Sequence, residues 1–430
     1  MKRNNEPKKV YIKTFGCSLN KADSITMENV LKKDGYDIVD SPEKSDVAII
    51  NSCSVKNSAE QKMYIELERL ERIVPHVILA GCVPQAEHDK DKLKDRNIIG
   101  VDKLSDISFA VSSILSGNIV QSLAHEDLDT LDYEKRLNET IEIVPISKGC
   151  LGACTYCKTK QARGKLFSFD KKRITASINR ALENGAKEIW LTSQDCGAYG
   201  LDKDENLVVL LKYILENTPA GYRIRLGMAN PDHIVRILPG LSEVYRDERM
   251  FRFLHVPVQS GSDRILGLMN RRYSRDDFLR IIDHFSRSFD EFTFSTDIIV
   301  GFPGETEEEF LESYDLIKDL RIPVLNYSRF WPRPNTPAAG LKLLPVDIVK
   351  DRTSRLKSLH EEVTKELLKG YKGKVLNVLI DEFEKGHLVG RTDSYKKVIF
   401  SDGSNPGLSK FVPAKILKTQ QWDLIAGKTR

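Results

Sequence analysis

The 430-residue sequence lacks the marks of a membrane or secreted protein. It has no uninterrupted apolar run of about 18 residues, the length that a membrane-spanning helix needs. The opening stretch, Met1 to Lys9, is polar and contains no apolar signal-peptide core. No internal repeat or low-complexity tract stands out. We therefore expect a cytoplasmic protein in a reducing compartment, long enough to form two or three domains.

A strong charge imbalance is also absent, because the formal net charge is only +4. The excess is concentrated at the C-terminal end, where the last 65 residues, from Glu366, hold 12 Lys/Arg against 7 Asp/Glu. The rest of the chain is close to neutral. If the protein binds a polyanion, we expect the footprint in this tail.

Cysteine is scarce, yet its few positions are clustered. Three of the seven cysteines, Cys150, Cys154 and Cys157, lie within eight residues at the end of a predicted buried strand. In a reducing compartment such clusters favour metal binding over disulfides. Three thiolates are one short of a closed zinc site, whereas a [4Fe-4S] cluster on three cysteines keeps one iron open for another ligand. The alternative is a zinc knuckle whose fourth ligand lies elsewhere.

Three more cysteines, Cys17, Cys53 and Cys82, each follow a short apolar run. Residues 8–121 alternate such runs with helical patterns, which predicts a parallel α/β sheet domain. The cysteines are 36 and 29 residues apart, about one strand–helix–strand unit each. All three should then lie on one edge of one sheet. We interpret them as ligands of a second cluster, the alternative being ordinary packing at strand ends.

After a polar stretch at 122–140, which we interpret as a linker, the alternation resumes over residues 141–370. Six candidate strands predict a partial, open (β/α)6 barrel whose chemistry lies in the loops at the carboxyl ends of the strands. Gln194, Asp195, Ser260 and Asp297 occupy those loops. Their side chains offer hydrogen-bond partners for a nucleoside or amino acid cofactor, so we predict that they bind it.

The C-terminal segment, 371–430, follows an amphipathic helix and contains short alternating runs punctuated by glycines. This pattern predicts a small β-barrel of about five strands, a common platform for single-stranded nucleic acids. Lys372, Lys374, Lys396 and Lys397 are its candidate phosphate contacts. The alternative is a purely structural barrel with a solvated lysine-rich surface.

Several motifs resemble one known family. The spacing C-x3-C-x2-C, with Tyr156 before the last cysteine, resembles the radical S-adenosylmethionine (SAM) enzymes. The tail resembles the TRAM domain, an RNA-binding module. A three-cysteine domain, a radical-SAM core and a TRAM tail, in that order over residues 8–430, resemble the methylthiotransferases. The stretches GCLGACTYCKTK from Gly149 and PRPNTPAA from Pro332 are most similar to the archaeal and eukaryotic branch that acts on N6-threonylcarbamoyladenosine (t6A) in tRNA. Leu19 departs from that branch, which favours histidine there.

The resemblance implies two [4Fe-4S] clusters. Cys150, Cys154 and Cys157 would hold the radical cluster, which binds SAM and generates a 5′-deoxyadenosyl radical that attacks the adenine C2–H. Cys17, Cys53 and Cys82 would hold an auxiliary cluster that carries the inserted sulfur, and a second SAM would supply the methyl group. The expected partners are the tRNA anticodon stem-loop with its adenosine 37, an electron donor such as a flavodoxin or ferredoxin, and a sulfur source.

Three arginines are candidate anion ligands. Arg163, just after the radical loop, would serve catalysis by balancing the substrate or the SAM carboxylate, unless it is an ordinary surface arginine. Because t6A ends in a carboxylate, its pocket needs a cation, and we assign Arg329 and Arg333 to it. The alternatives are a methylthiotransferase for prenylated tRNA or for a protein side chain, and, in another class, a two-cluster electron carrier.

Overall fold

The computed structural model describes residues 6–54, 57–87, 93–126, 129–401 and 406–427, with the backbone alone for 57–59. The first five residues of the polar opening stretch and the last three of the tail lie outside this range. Within the described residues, no helix combines the length and apolar character needed to cross a membrane.

The N-terminal unit is a six-stranded sheet in which every paired neighbour is parallel. The strands are β1 (Lys9–Thr14), β2 (Asp37–Val39), β3 (Val47–Ser52), β4 (His76–Gly81), β5 (Asn97–Ile99) and β6 (Gln121–Ser122), in the spatial order β2-β1-β3-β4-β5-β6. Its helices are α1 (Ser18–Lys33), α2 (Asn57–Ile73), α3 (Cys82–Ala86) and α4 (Ile107–Leu115). The two edge strands are too short to show a period in the sequence.

The central strand β3 shows why the sequence of this domain contains a series of apolar runs. Every residue of β3 is buried, because helices cover both faces of the sheet. Val47 and Ile49 pack in the core under α1 and α4, whereas Ala48 and Ile50 pack in the core under α2. Both faces are apolar, so the strand shows no polar alternation.

The central unit contains six strands whose pairings are all parallel. They are β7 (Ile141–Pro145), β10 (Glu188–Thr192), β11 (Arg223–Leu226), β12 (Phe253–His255), β13 (Thr293–Val300) and β14 (Val324–Arg329); β8 (Ser147–Lys148) and β9 (Phe167–Ser168) form a small separate ladder. Backbone bonds such as Ala229 N to His255 O, 3.0 Å, link the two halves, β7-β10-β11 and β12-β13-β14. The predicted fold class, with an open six-stranded arrangement here, is confirmed.

Helices α5 to α12 belong to this central unit. They are α5 (Thr159–Arg163), α6 (Lys171–Glu183), α7 (Leu207–Glu216), α8 (Pro231–Ile234), α9 (Leu238–Val244), α10 (Asp263–Leu268), α11 (Arg275–Ser288) and α12 (Glu307–Leu320). Residues of α6 to α12 form one large core with residues of the strands, whereas Ala162 of α5 packs in a separate small cluster. The polar side chains at the carboxyl ends of the strands stay outside this core.

The segment at 122–140, interpreted as a linker, contacts both units in the part that the structure describes. Leu131 and Lys135 are buried, and Lys135 Nζ donates a hydrogen bond to the Tyr133 carbonyl at 2.7 Å. Asn29 on α1 donates to the carbonyl of Glu134, and Arg136 donates to the carbonyl of Ala181 on α6. The segment therefore fastens the N-terminal sheet to the central unit.

The tail is a closed five-stranded barrel preceded by a long helix. Its elements are α13 (Val346–Lys369), β15 (Val375–Glu384), β16 (His387–Thr392), β17 (Lys397–Phe400), β18 (Phe411–Thr419) and β19 (Leu424–Gly427), in the order β15-β16-β17-β19-β18. The sequence pattern predicted only short runs in this segment, but β18 extends over nine residues, from Phe411 to Thr419. Ala414 and Ile416 are buried on alternate positions, but a register shift between Ile416 and Lys418 leaves Leu417 exposed and ends the period of two.

This barrel packs against the amino ends of the central strands. Tyr395, between β16 and β17, is half-buried and packs against Phe251 and Phe253, with ring centroids 4.7 and 5.0 Å away. Its hydroxyl donates to Glu188 Oε1 at 3.1 Å, and Arg223 donates to Asp393 Oδ1 at 2.9 Å. The carboxyl ends of the strands, at the opposite end, remain available for a functional site.

Two carboxyl groups meet at this junction and share a hydrogen bond. Asp381 on β15 bonds the side chain of Glu188 on β10, and burial followed by the charge of Glu188 raises the pKa of Asp381 to about 8, against the opposing charge of Arg391. Glu188 Oε2 and Asp381 Oδ1 are both buried and have no donor among the described groups. A proton on Asp381 satisfies both oxygens.

The shared proton predicts a pH dependence of stability. Between the ordinary Asp pKa near 4 and about 8, the folded protein holds a proton that the unfolded chain has lost, so this contribution is complete below that window and is lost as pH rises through it. We expect the stability of the Asp381→Asn variant not to change with pH through this group. From pH 6 to 9, the wild-type protein should lose at least about 1 kcal/mol, roughly 2 °C in Tm, relative to the variant. Parallel Tm curves would contradict this, and Glu384→Gln on the exposed end of β15 is the control.

Candidate active site between two cysteine triads

Cys17, Cys53 and Cys82 lie at the carboxyl ends of three adjacent parallel strands. Cys17 is the N-cap of α1 after β1, Cys53 directly follows β3, and Cys82 is the first residue of α3 after β4. The register aligns Thr14 with Asn51 and Asn51 with Ala80, so the three strands end level. We call these three residues the N-terminal triad.

The loops of the triad approach so closely that one position requires glycine. Gly16 has φ +112°, and a Cβ there would lie 2.5 Å from Cys53 Cβ and 2.7 Å from its Sγ. Any larger residue would push Cys17 and Cys53 apart.

Asn20 joins two of the triad thiols. Its Oδ1 accepts from Cys17 Sγ at 3.6 Å and from Cys82 Sγ at 3.8 Å. Its Nδ2 donates to the carbonyls of Phe15 and Ser52, at 3.0 and 2.7 Å, which fixes the amide. Sequence reasoning missed Asn20, although its position three residues after Cys17, on the first turn of the helix, was a usable signal.

Arg163 lies beside this triad and is buried, so it is not the ordinary surface arginine that the sequence left as the alternative. It ends α5, is buried, and donates to Asn20 Oδ1 at 3.0 Å and to Asp23 Oδ2 at 2.5 Å. Burial raises the pKa of Cys82 to about 12, and the Arg163 charge opposes that rise. The cation therefore favours thiolates in the triad.

Helix α5 brings the two cysteine sets together. It starts two residues after Cys157, and its Ala162 packs with Cys82 and Ala86 of α3 in one small apolar cluster. Ser18, at the start of α1, also bonds Thr192 at the end of β10, with 2.9 Å between the hydroxyl oxygens. The carboxyl ends of the strands in the N-terminal sheet therefore lie next to the carboxyl ends of the strands in the central unit.

The radical loop, residues 150–157, follows β8. Gly149 has φ +74°, and a Cβ there would lie 1.8 Å from the Lys165 carbonyl oxygen, so only glycine fits. The backbone N–H of Gly152 donates to Cys150 Sγ at 3.2 Å, and that of Thr159 donates to Cys157 Sγ at 3.4 Å. Such donors stabilise thiolates and tune the sulfurs of iron–sulfur clusters.

A chain of side chains orients Tyr156 in this loop. Arg271 donates to the Tyr156 hydroxyl at 2.5 Å and to Asn230 Oδ1 at 2.8 Å, and Asn230 donates to Asp195 Oδ2 at 2.6 Å. The Tyr156 ring packs edge-on against Phe302, 6.3 Å away. Burial raises the pKa of Cys154, and the Arg271 cation opposes it.

The four predicted cofactor residues, Gln194, Asp195, Ser260 and Asp297, differ in how accessible their polar atoms are to a ligand. Asp195 is buried in the chain just described, and the neighbouring Gln194 has a buried Oε1 with no donor among the described groups. Asp297 lies at the barrel mouth, where His255 and Asn326 each lie 2.9 Å from its Oδ1. Ser260, in contrast, is buried in a turn and accepts from the backbone N–H of Ser262. The structure therefore leaves Gln194 and Asp297 better placed for a ligand than Ser260.

The two predicted substrate arginines are not brought together. Arg329, at the end of β14, is exposed and donates to Thr353 of α13 at 3.3 Å. Arg333 is buried and donates to Glu60 Oε2 on α2 at 2.6 Å. Of these two arginines, Arg333 contacts the N-terminal unit, whereas the described contact of Arg329 is within the central unit and α13.

Both triads fit iron–sulfur chemistry. Each offers three soft thiols with cations or N–H donors beside them. No group of three or more His, Cys, Asp or Glu among the described side chains closes around a single-ion site. The assignment therefore depends on the chemistry of the sulfurs and not on a preformed shell. Cys196, the seventh cysteine, is packed in the main core.

Comparison with known proteins identifies the parts. Residues 9–101 match the model described as "Uncharacterized protein family UPF0004", residues 144–317 match the radical SAM superfamily, and residues 369–428 match the TRAM domain. The fold resembles that of the radical SAM methyltransferase TsrM from Kitasatospora setae, with a TM-score of 0.55 at 12% identity, covering 77% of this chain and 75% of that one.

Curated relatives cover nearly the whole chain. The probable threonylcarbamoyladenosine tRNA methylthiotransferase of Pyrococcus horikoshii is 40% identical over 400 residues, which are 92% of this chain and 94% of the relative. The threonylcarbamoyladenosine tRNA methylthiotransferase of Homo sapiens is 38% identical over 91% of this chain and 69% of its own length. With a radical SAM core and a TRAM barrel in the same chain, this protein belongs to the family of threonylcarbamoyladenosine tRNA methylthiotransferases.

Proposed function

We propose that the protein replaces the hydrogen at C2 of t6A, at position 37 of tRNA, with a methylthio group. The observation that carries this is the meeting of two cysteine triads through α5, with Ala162 on Cys82 and Arg163 beside it. A reaction that activates a C–H bond and then inserts sulfur needs two such centres around one substrate. An electron carrier needs no polar mouth such as Asp297 with His255 and Asn326.

Cys150, Cys154 and Cys157 would hold the [4Fe-4S] cluster at which SAM binds, and Cys17, Cys53 and Cys82 would hold a second [4Fe-4S] cluster. When bound, these groups supply the one-electron and sulfur chemistry that no side chain provides. The role of the chain is to position and to balance charge. Arg163 offsets the negative charge of the N-terminal thiolates, and Arg271 fixes Tyr156 in the radical loop.

The partners follow from this reaction. The substrate is tRNA, which would bind the active site through its anticodon stem-loop. The reaction also consumes electrons and sulfur, so we propose a small one-electron donor protein, such as a flavodoxin or ferredoxin, and a separate sulfur source. We propose a cytoplasmic location, in keeping with a tRNA substrate.

Mass spectrometry of tRNA nucleosides tests the proposal directly. Cells with the protein should contain 2-methylthio-t6A, and cells without it should accumulate t6A. An increase in unmodified prenylated adenosine, with the t6A species unchanged, would assign the protein to the other tRNA substrate. No change in any tRNA nucleoside would contradict the proposal altogether.

The TRAM barrel offers a separate prediction about RNA affinity. Lys396 donates a hydrogen bond to Thr293, and Lys397 pairs with Glu384, so these two sequence candidates are already engaged. Four exposed lysines lie on or beside the paired strands β15 and β18: Lys372, Lys374, Lys415 and Lys418. Changing these four to Gln should weaken tRNA binding and flatten the slope of log K against log salt by about 0.7 to 0.9 for each lysine that contacts a phosphate.

Point substitutions are better suited to this test than deletion of the barrel, because deletion would uncover Phe251, Phe253 and Glu188. Lys385→Gln, on an exposed turn away from the patch, is the matched control. An unchanged slope in the four-lysine variant would place the phosphate contacts elsewhere.

A further inference from the structure

Arg333 and Glu60 form an ion pair between the loops that carry the two triads. Glu60 lies in the first turn of α2, seven residues after Cys53. The segment around Arg333 is tied to the radical loop, because Gln161 donates to the Asn335 carbonyl at 2.7 Å and Ala338 N donates to the Thr155 carbonyl at 2.9 Å. The pair therefore spans the region where a substrate must meet both cysteine sets.

The ion pair between Arg333 and Glu60 is largely buried, but a single contact joins the two side chains. The side chains of Arg333 and Glu60 are 7% and 16% exposed, and one N–H···O contact of 2.6 Å is recorded between them. By comparison, Arg264 grips Glu309 with two contacts, 2.6 and 2.7 Å long, although it is far more exposed. A guanidinium taken out of water needs an anion, and a single contact uses only part of its fork of donors.

We propose that Glu60 occupies the place of the substrate carboxylate, and that the threonyl carboxylate of t6A displaces it from Arg333. The exchange replaces one ion pair by another, so the buried cation is never left unpaired. The released Glu60 stays in the first turn of α2, where the N-terminal helix dipole favours a negative charge.

Specificity follows from the competition. An adenosine without the threonylcarbamoyl group, or with a prenyl group, has no carboxylate to displace Glu60, so the pair stays closed against it. This inference deepens the proposed function and rests on it, since it requires t6A as the substrate.

Equilibrium binding of two tRNAs to the iron-loaded protein tests the exchange. One tRNA carries t6A at position 37 and the other carries unmodified adenosine. Glu60→Gln, which removes the competing charge but keeps the shape, should tighten binding of the t6A tRNA several-fold and leave the unmodified tRNA unchanged. Arg333→Gln should weaken binding of the t6A tRNA roughly 10- to 100-fold, as for the loss of a hydrogen bond between charged groups. Glu66→Gln, on the same helix, is the control and should change neither.

The outcomes separate the two proposals. Glu60→Gln could weaken binding of the t6A tRNA, or leave it unchanged while the wild type distinguishes the two tRNAs. Either result would mean that Glu60 only holds Arg333 in position, and the proposed exchange of carboxylates would be wrong. If Arg333→Gln folds and keeps the discrimination, the carboxylate site lies elsewhere. If the wild type itself binds both tRNAs equally and modifies neither, the proposed function fails and the exchange fails with it.

Discussion

Replacing Cys150, Cys154 and Cys157 by Ala is expected to abolish reductive cleavage of SAM, whereas replacing Cys17, Cys53 and Cys82 should spare cleavage and stop thiomethyl transfer. The two triads lie on different elements, one in the radical loop and one at the edge of the N-terminal sheet. Each has its own N–H or cationic neighbours. Loss of one set of thiolates should therefore leave the other able to bind its cluster.

Iron analysis after anaerobic reconstitution accompanies the activity assays. We expect about eight irons per wild-type chain and about four in either triple variant, as for two four-iron clusters. Cys196→Ser changes a core cysteine that takes no part in either triad and controls for the loss of thiols as such. Equal loss of SAM cleavage in both triple variants, with each still folded, would contradict this division of roles. Four irons in the wild type that survive loss of the N-terminal triad would remove the second cluster.

Replacing Arg163 by Ala should cost both stability and iron. The substitution leaves the buried carboxylate of Asp23 without its 2.5 Å partner and removes the cation that favours thiolates at Cys82. Breaking a buried pair in this way typically costs about 3 to 5 kcal/mol, so Tm should fall by about 3 to 5 °C for a chain of this length. The iron content should fall toward that of the variant without the N-terminal triad.

Two further variants separate the structural role of Arg163 from its electrostatic one. Arg173 pairs with Asp129 and Asp132 on the surface, so Arg173→Ala should cost no more than about 1 kcal/mol. Arg163→Met combined with Asp23→Leu removes both buried charges and should recover much of the Tm, yet the auxiliary iron should stay low if the cation is needed there. Full recovery of iron in the double variant would show that Arg163 only pairs with Asp23.

Local patterns in the sequence were enough to predict the triads and the fold class. The buried strand β3 and its neighbours appear as short apolar runs, and the parallel arrangement sends every cysteine that follows them to the same edge. The spacing of residues 150–157 likewise predicts a cluster loop, because the chemistry of three adjacent thiols does not depend on distant parts of the chain. The ligand roles themselves remain predictions.

The partners of the arginines could not be predicted in this way. Arg163 meets Asp23 across 140 positions and Arg333 meets Glu60 across 273, and both contacts depend on how two domains dock. No periodicity carries that information. The length of β18 was missed for a different reason, since the register shift between Ile416 and Lys418 interrupts its alternation of buried and exposed residues.

The docking of the TRAM barrel against the amino ends of the central strands sets a distance. The longest central strand, β13, has eight residues, so the two ends of the unit are separated by about 25 Å. The chemistry is at one end and the lysine patch belongs to the barrel at the other. An RNA that contacts both must run along the flank of the central unit, and a free nucleoside or a trinucleotide cannot. The two contacts are then bivalent. Binding at one raises the effective local concentration of the RNA at the other, but only for an RNA long enough to reach both.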